Sequence, residues 1–357
     1  MKNIIITGGN SNEYSVIQPI SCPVHGELNG DLSLSLELSN AENEVELESL
    51  ITVDIPSLTE QKFRIKSKEK TLSGIKYKAK HVFYDLENNF IIDKRPTEAS
   101  PQQALERFLE GLSYSTPFSI GEVFTGSNKT AYWEYKNPVE ALLGTDDNSF
   151  INRWGGEIKR DNWQINFLSR IARTYDFDGE IELPRVFVGR EITDLNITIS
   201  VENTVTRIIP TGLNSDNSIV KLPEIYVDSP HINDYAQPKI KRIHYSWLKL
   251  GEDGRSTLEQ VYTELRRCAR AEFAKGVDLP QISGQISLID PASTEEFKGI
   301  DKILPYDDFL VVDPNGKQYS ARLTAFNYDC LSEKYINLTI GNVNTMQNFE
   351  KLIKAIK

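Results

Sequence analysis

Only three cysteines occur in 357 residues, Cys22, Cys268 and Cys330, and they lie far apart. An odd number at wide spacing excludes a disulfide framework and a zinc ribbon, which need even sets or tight C-x-x-C pairs. The three thiols are expected to be reduced and mostly buried. Histidine is scarce too: His25, His81, His231 and His244. Of these only Cys22-x-x-His25 has metal-like spacing, and that pair leaves zinc two ligands short. Long apolar runs are missing. The N-terminus "MKNIIITGGNSNEY" returns to polar residues after four apolar ones, too few for a signal peptide or a membrane span. Synthesis in a reducing cytoplasm is expected. An excess of basic charge is also missing: 51 acidic residues against 40 basic give a formal charge of −11. That balance argues against a surface that grips nucleic acid through its phosphates.

Catalytic signatures are absent as well. "NIIITGGNSNEY" begins like a dinucleotide-binding turn, but the third glycine is missing and Pro19 and Pro23 interrupt any following helix. No G-x-S-x-G elbow and no G-x-x-x-x-G-K phosphate loop is present. "EDG" at 252–254 and "DPNG" at 313–316 read as turns, since neither continues as a calcium loop. His81 reads as a structural residue in a strand. Acidic residues are scattered over strands and loops, so no glycosidase pair stands out. Trp154 and Trp163 read as core aromatics. No catalytic, cofactor-binding or metal-ligating residue is therefore assigned, and no cofactor is expected. Two other readings remain open: a cell-wall hydrolase with its site around Glu157, Asp161 and the two tryptophans, and a carbohydrate-binding module using the same tryptophans.

What is present is the pattern of a globular chain, 39% hydrophobic and 10% aromatic, of two to three domains. In "LNGDLSLSLELS" the leucines 32, 34, 36 and 38 recur at period two, which predicts a strand with one buried face. Short strands follow in "LITVDIP", "KFRIKSK" and "GIKYKAKHVFYDL". After Pro101 the period becomes helical through Ala104, Leu105, Phe108, Leu109 and Leu112. A second helix is predicted at "NPVEALLG", with Asn137 as N-cap, Pro138 at the first position and Glu140 completing a capping box. "GEIKRDNWQINFL" predicts a hairpin turning at Arg160-Asp161-Asn162, entered through Gly155-Gly156. Residues 223–242 read as a Pro- and Asp-rich surface loop. A long helix is predicted from a capping box at Ser256, in "STLE", and ends at Gly276. Strands return from "QISGQISLID" to "YINLTIG", and the tail "NFEKLIKAIK" predicts a short amphipathic helix with Phe349, Leu352, Ile353 and Ile356 on one face.

Several segments, in order, resemble one family. They are "ELNGDLSLSLELSNAENE", "YKAKHVFYDL", "WGGEIKRDNWQINFLSR", "NTVTRIIPTG", "YVDSPHINDY" and "LPYDDFLVVDPNGKQYSARLTAFNYDCLSEKYINLTIG". Together they resemble the phage tail-tip hub, the tail-associated or prophage endopeptidase tail family, which is similar to the baseplate hub of contractile phages. The resemblance implies a mainly β chain with two antiparallel, tail-tube-like β-barrels, an α+β domain and a helical insertion. The expected limits are 1–97 for the first barrel, 98–188 for the α+β domain, 189–235 with 281–345 for the second barrel, 236–280 for the helical insertion and 346–357 for the last helix. The first hundred residues and the last sixty are expected in separate sheets. The resemblance further implies a structural, non-enzymatic hub at the tail tip of a virion. It would be a homotrimeric ring joining the tail tube, or a distal tail protein, to a spike, tail fibre, tape-measure or lytic component. DNA would pass through without specific binding, and the channel wall is expected to be acidic or neutral, carrying Ser33, Ser35 and Glu37. Family members named for endopeptidase activity carry a lytic domain after the hub. Little chain follows Gly341, so no lytic activity is carried over; the alternative is the non-catalytic N-terminal part of a longer tail lysin.

Overall fold

The computed structural model describes residues 4–8, 14–39, 44–172, 184–188, 192–252, 255–288, 303–312, 316 and 318–341. The helix expected at 346–357 and most of the "DPNG" turn lie outside the described residues. From the N-terminus come β1 (Ile4–Thr7), β2 (Tyr14–Ile17), β3 (Pro23–Glu27), β4 (Leu32–Ser39), β5 (Leu50–Ile55), β6 (Leu58–Lys70) and β7 (Gly74–His81). A 3-10 turn, Val82–Asn88, leads to β8 (Ile91–Lys94), α1 (Pro101–Glu110), β9 (Ser119–Val123), β10 (Trp133–Lys136), α2 (Pro138–Leu143), α3 (Phe150–Arg153), β11 (Glu157–Asp161) and β12 (Gln164–Leu168). Then follow β13 (Arg185–Phe187), β14 (Ile192–Ser200), β15 (Arg207–Leu213), β16 (Ile219–Lys221), β17 (Val227–Asp228) and β18 (Ile240–Lys249). The order closes with α4 (Leu258–Ala274), β19 (Gln281–Leu288), β20 (Asp308–Val312), β21 (Gln318–Asp329) and β22 (Lys334–Gly341).

Thirteen strands form one large sheet, in the order β14-β19-β22-β21-β3-β4-β7-β6-β5-β1-β2, with β20 pairing β21 and β13 pairing β20. β4 shows why its register holds. Its leucines are buried and its serines and Glu37 face outward. A slip of one residue would exchange the two sets, and at about 2 kcal/mol per buried leucine the loss is on the order of 8 kcal/mol. The sheet curls at its N-terminal end because one run of chain serves two neighbours. β2 pairs with β1, and a few residues later Ile20 N donates to Glu37 O and Glu37 N donates to Ser21 O, on β4. The C-terminal half has a matching arrangement: β13 runs parallel to β20, and the next strand, β14, pairs with β19.

The two halves are not separate sheets, which corrects the sequence-based expectation. β21 is long enough to have two partners in succession on one side. Its residues 318–322 pair with β20, and its residues 325–329 pair with β3. The join is close because Gly26 has no side chain: a Cβ there would lie 2.5 Å from Cζ of Phe326, its partner in the ladder. Leucine alternation identifies strands but carries no information on which distant strand lies alongside.

The residues expected in the second barrel divide. β14 joins the large sheet, as does β13 from the expected α+β domain, whereas β15, β16 and β17 form a four-stranded sheet with β18, which runs parallel to β15. α4 packs on this small sheet, and the lobe has its own core, including Val220, Trp247, Leu248, Val261 and Leu265. The segment holding α1–α3 and β8–β12 has no separate core. Phe108, Trp133, Phe150 and Phe167 are continuous with the apolar interior of the large sheet.

The helix starts differ in detail from the sequence expectation. Asn137 caps α2 by accepting from Val139 N, without the reciprocal bond from Glu140. The box at α4 is formed one residue later than expected, by Thr257 and Gln260. α1 is held by a full box, Ser100 with Gln103.

Candidate functional site

The span from Phe150 to Arg170 forms a clamp. Helix α3 ends at Trp154, and Gly155 and Gly156 then take positive φ, +86° and +91°, to turn the chain into β11. The hairpin turns at Asn162-Trp163, two residues beyond the expected place, because Arg160 and Asp161 still pair with Ile165 and Gln164. Asn162 takes φ +51°, a conformation that asparagine tolerates.

The hairpin bonds both halves of the large sheet. Arg160 is buried and donates to Gly30 O at 2.6 Å, Tyr84 Oη at 2.8 Å and Glu27 O at 3.1 Å. Asn29, in the β3–β4 turn, accepts from Ile158 N at 2.8 Å and donates to Gly156 O at 3.2 Å. At the tip, Asn162 Oδ1 accepts from Lys62 N on β6, and Gln61 Nε2 donates to Asp161. At the other end Glu157 accepts twice from Arg322 Nη2 on β21, at 2.7 and 2.8 Å, and once from Ile171 N. Arg170 reaches Asp308 of β20. A buried charge is tolerated when it is paired and hydrogen-bonded in this way.

His81 extends the network. Its ring is fully buried, and its Nδ1 accepts from Phe83 N, so Nε2 carries the proton and donates to Gln61 Oε1. Burial, with the positive Arg160 nearby, pushes its pKa down to about 3. His25 bonds Asn327 and Glu27, so Cys22-x-x-His25 serves the strand join. Among the described residues no group of three or more His, Cys, Asp or Glu could hold a metal ion.

A cleft of about 900 Å³ separates this lobe from the small α4 lobe. Its walls come from the α2–α3 connection, β18 and α4, with Asp147, Arg153, Tyr245, Trp247, Cys268 and Glu272 among the lining residues. The Arg153 guanidinium stacks 3.8 Å from the Trp247 ring centroid. Among the described residues the buried Tyr245 hydroxyl has no hydrogen-bond partner, and burial first, then Cys268, Glu272 and Asp147, push its pKa up. Burial, then Glu272 and Asp146, push Asp147 up to about 6. Burial likewise raises Cys268 to about 11, leaving a neutral thiol and no nucleophile.

Three crystal structures share the architecture. Prophage tail protein gp18 of Listeria monocytogenes aligns at TM-score 0.60 and 13% identity, over 99% of this chain and 98% of its own. A tail protein of Neisseria meningitidis aligns at 0.60 and 10%, over 96% and 97%. A 43 kDa tail protein of prophage MuSo2 from Shewanella oneidensis aligns at 0.56 and 10%, over 95% and 97%. The chain has the fold of prophage tail proteins. No protein-family model and no curated protein matches its sequence.

Within this tail-protein fold, the two carboxylates weighed for hydrolysis are not spaced as a glycosidase pair. Glu157 and Asp161 are four residues apart on β11, roughly 13 Å by strand rise, beyond the ~5–9.5 Å of glycosidase pairs. Both carboxylates already hold structural partners. Trp154 stacks on Phe150 at 5.2 Å and donates to Ala99 O, so its face is not open to a sugar. Trp163 sits in the hairpin turn beneath Lys62. Sequence reading missed the roles of Asn29, Gln61 and Arg322. Each is a polar residue with at least one partner 20 or more positions away, and no local period signals that.

Proposed function

We propose that this chain is a structural component of a phage or prophage tail, the hub at the tail tip. The observation that carries this reading is the likeness to the Listeria tail protein, which runs through 99% of this chain and 98% of the other. In this reading each curled half of the large sheet acts as one barrel-like unit. Three copies then present six such units around an axis and meet a hexameric tube. The proposed partners are the tube or a distal tail protein on one side and a spike, fibre or tape-measure protein on the other.

Among the described residues β2 stands at the end of the strand order of the large sheet, which supports association of copies. Val16 on β2 is 62% exposed, and an open strand edge with apolar side chains favours further pairing. Obligate contacts of this kind bury on the order of 2,000 Å² or more. Ser33, Ser35 and Glu37 face away from the core, and Lys80, Lys78 and Lys76 of β7 stand opposite them. Lys76 pairs with Glu37 and Lys80 with Glu87. A face of mixed charge suits a wall past which DNA moves without being held.

Sedimentation equilibrium of the purified chain tests the assembly. A mass of three copies is expected, and a closed two-fold dimer would overturn the ring. A zymogram on bacterial cell wall tests the role. No clearing is expected, and clearing abolished by Glu157→Gln would replace the structural reading by hydrolysis.

A further inference from the structure

Cys22 immediately precedes β3, and Cys330 immediately follows β21. Pro23 pairs with Asp329 in the ladder joining the two halves of the large sheet, so the next pair in register is Cys22 with Cys330. The backbone agrees: Cys330 N donates to Cys22 O at 3.1 Å. Directly opposed residues bonded in this way in an antiparallel ladder have Cα atoms about 5.5 Å apart, inside the roughly 4.4–6.8 Å range of disulfides. The Cys330 thiol beside it, followed by burial, pushes the Cys22 thiol's pKa up. Both are buried, 0% and 1% exposed, whereas Cys268 lies in the separate core of the α4 lobe.

We propose that Cys22 and Cys330 are a disulfide-forming pair, which a thiol oxidant closes into a staple across the seam between the two halves. With oxidised glutathione the exchange balances. One cysteine thiolate attacks the glutathione disulfide, breaking its S–S bond and releasing one glutathione thiolate. The second cysteine, as thiolate, then displaces the other glutathione from the mixed disulfide. Two S–H bonds give one protein S–S bond; the protein loses two electrons and two protons, and two reduced glutathiones form. The pair stays reduced in a reducing compartment and is slow to react in the closed fold, because both thiols are buried away from the oxidant. Its position at the end of the β3–β21 ladder is where opening exposes it, since ladder ends open at lower free energy than ladder centres. The bond closes a loop of roughly 300 residues, at the long end of the range where cross-links restrict the unfolded chain most. Its use to a tail particle rests on the reading above: the chain folds among reduced thiols and works outside the cell.

The test uses the full chain in glutathione redox buffer, in two arms: native protein held for days, and protein refolded from denaturant in the same buffer. Free thiols are then alkylated, and the digest is analysed by mass spectrometry. A peptide linked through Cys22 and Cys330 is expected in at least one arm, two hydrogens lighter than its reduced parts, with Cys268 alkylated. The link should persist in Cys268→Ser and be lost in Cys22→Ser and Cys330→Ser. The linked protein should melt higher than the reduced protein by on the order of 5 °C or more. Alkylation of both Cys22 and Cys330 in both arms, glutathione retained on either, or a link to Cys268 instead would overturn the pairing.

Discussion

The clamp at β11–β12 and the cleft beside α4 draw on neighbouring stretches of sequence and are both rich in polar groups, yet they differ in how these are partnered. In the clamp Arg160, Glu157, Asn29, Asn162 and His81 are hydrogen-bonded. In the cleft the Tyr245 hydroxyl has no hydrogen-bond partner among the described residues, and the Asp147 pKa is raised by burial and by two other acids. A satisfied buried network fixes one arrangement, while an unsatisfied one leaves free energy that a rearrangement can recover. The clamp therefore holds the two halves of the large sheet in a fixed relation, and the cleft is the softer joint.

The largest expected effect breaks the clamp. Arg160→Ala removes three donated bonds from a buried position, and a loss of about 3–4 kcal/mol is expected from denaturant titration. A loss below about 1 kcal/mol would make the hairpin a passenger. Next to it on the seam, Gly26→Val pushes a branched side chain into the Phe326 ring and should cost about 2–3 kcal/mol. Phe326→Leu in the same chain should recover part of that loss, and purely additive losses would contradict the steric account.

The pH responses sharpen the contrast, because the two regions should slope in opposite directions. The folded pKa of His81, about 3, lies below the unfolded value of 6.5. The unfolded chain thus takes up the proton first, and stability falls as pH drops from 6.5 towards 3. At pH 5 this amounts to about 2 kcal/mol. His81→Asn keeps an acceptor for Phe83 N and should flatten that slope. The folded pKa of Asp147, about 6, lies above the unfolded 3.8. The folded chain takes up this proton first, so the carboxylate destabilises at neutral pH, and the penalty disappears as pH falls from 6 to below 4. Asp147→Asn should stabilise the protein by about 1 kcal/mol at pH 7.5, after allowing for solvent screening, and by nothing below pH 4. A neutral or destabilising effect at pH 7.5 would put the cleft in the same class as the clamp.

Much of the fold could be read in the sequence wherever the signal is periodic or local. The leucines of β4, the stripe of α4, the Asn137 cap and the Gly155-Gly156 turn were all legible for that reason. The β3–β21 join was not, because Gly26 reads locally as a turn residue and its meaning depends on a phenylalanine 300 positions away. The hairpin turn was displaced because Arg160 and Asp161 look like loop residues, whereas their side chains are bonded to other parts of the fold. The small mixed sheet was missed for a related reason: β17 is two residues long, and the Pro- and Asp-rich stretch around it conceals the start of β18 at Ile240. The cleft has no sequence signature, since its residues come from separate segments spread between Glu98 and Lys275.

The central claim, a structural place at the tail tip, is tested most directly on whole particles. Particles from the strain that encodes the chain can be labelled with gold-tagged antibody to it and viewed by electron microscopy. The account predicts label at the end of the tail distal to the capsid. Label along the capsid or at the neck, or intact particles that lack the chain, would contradict it.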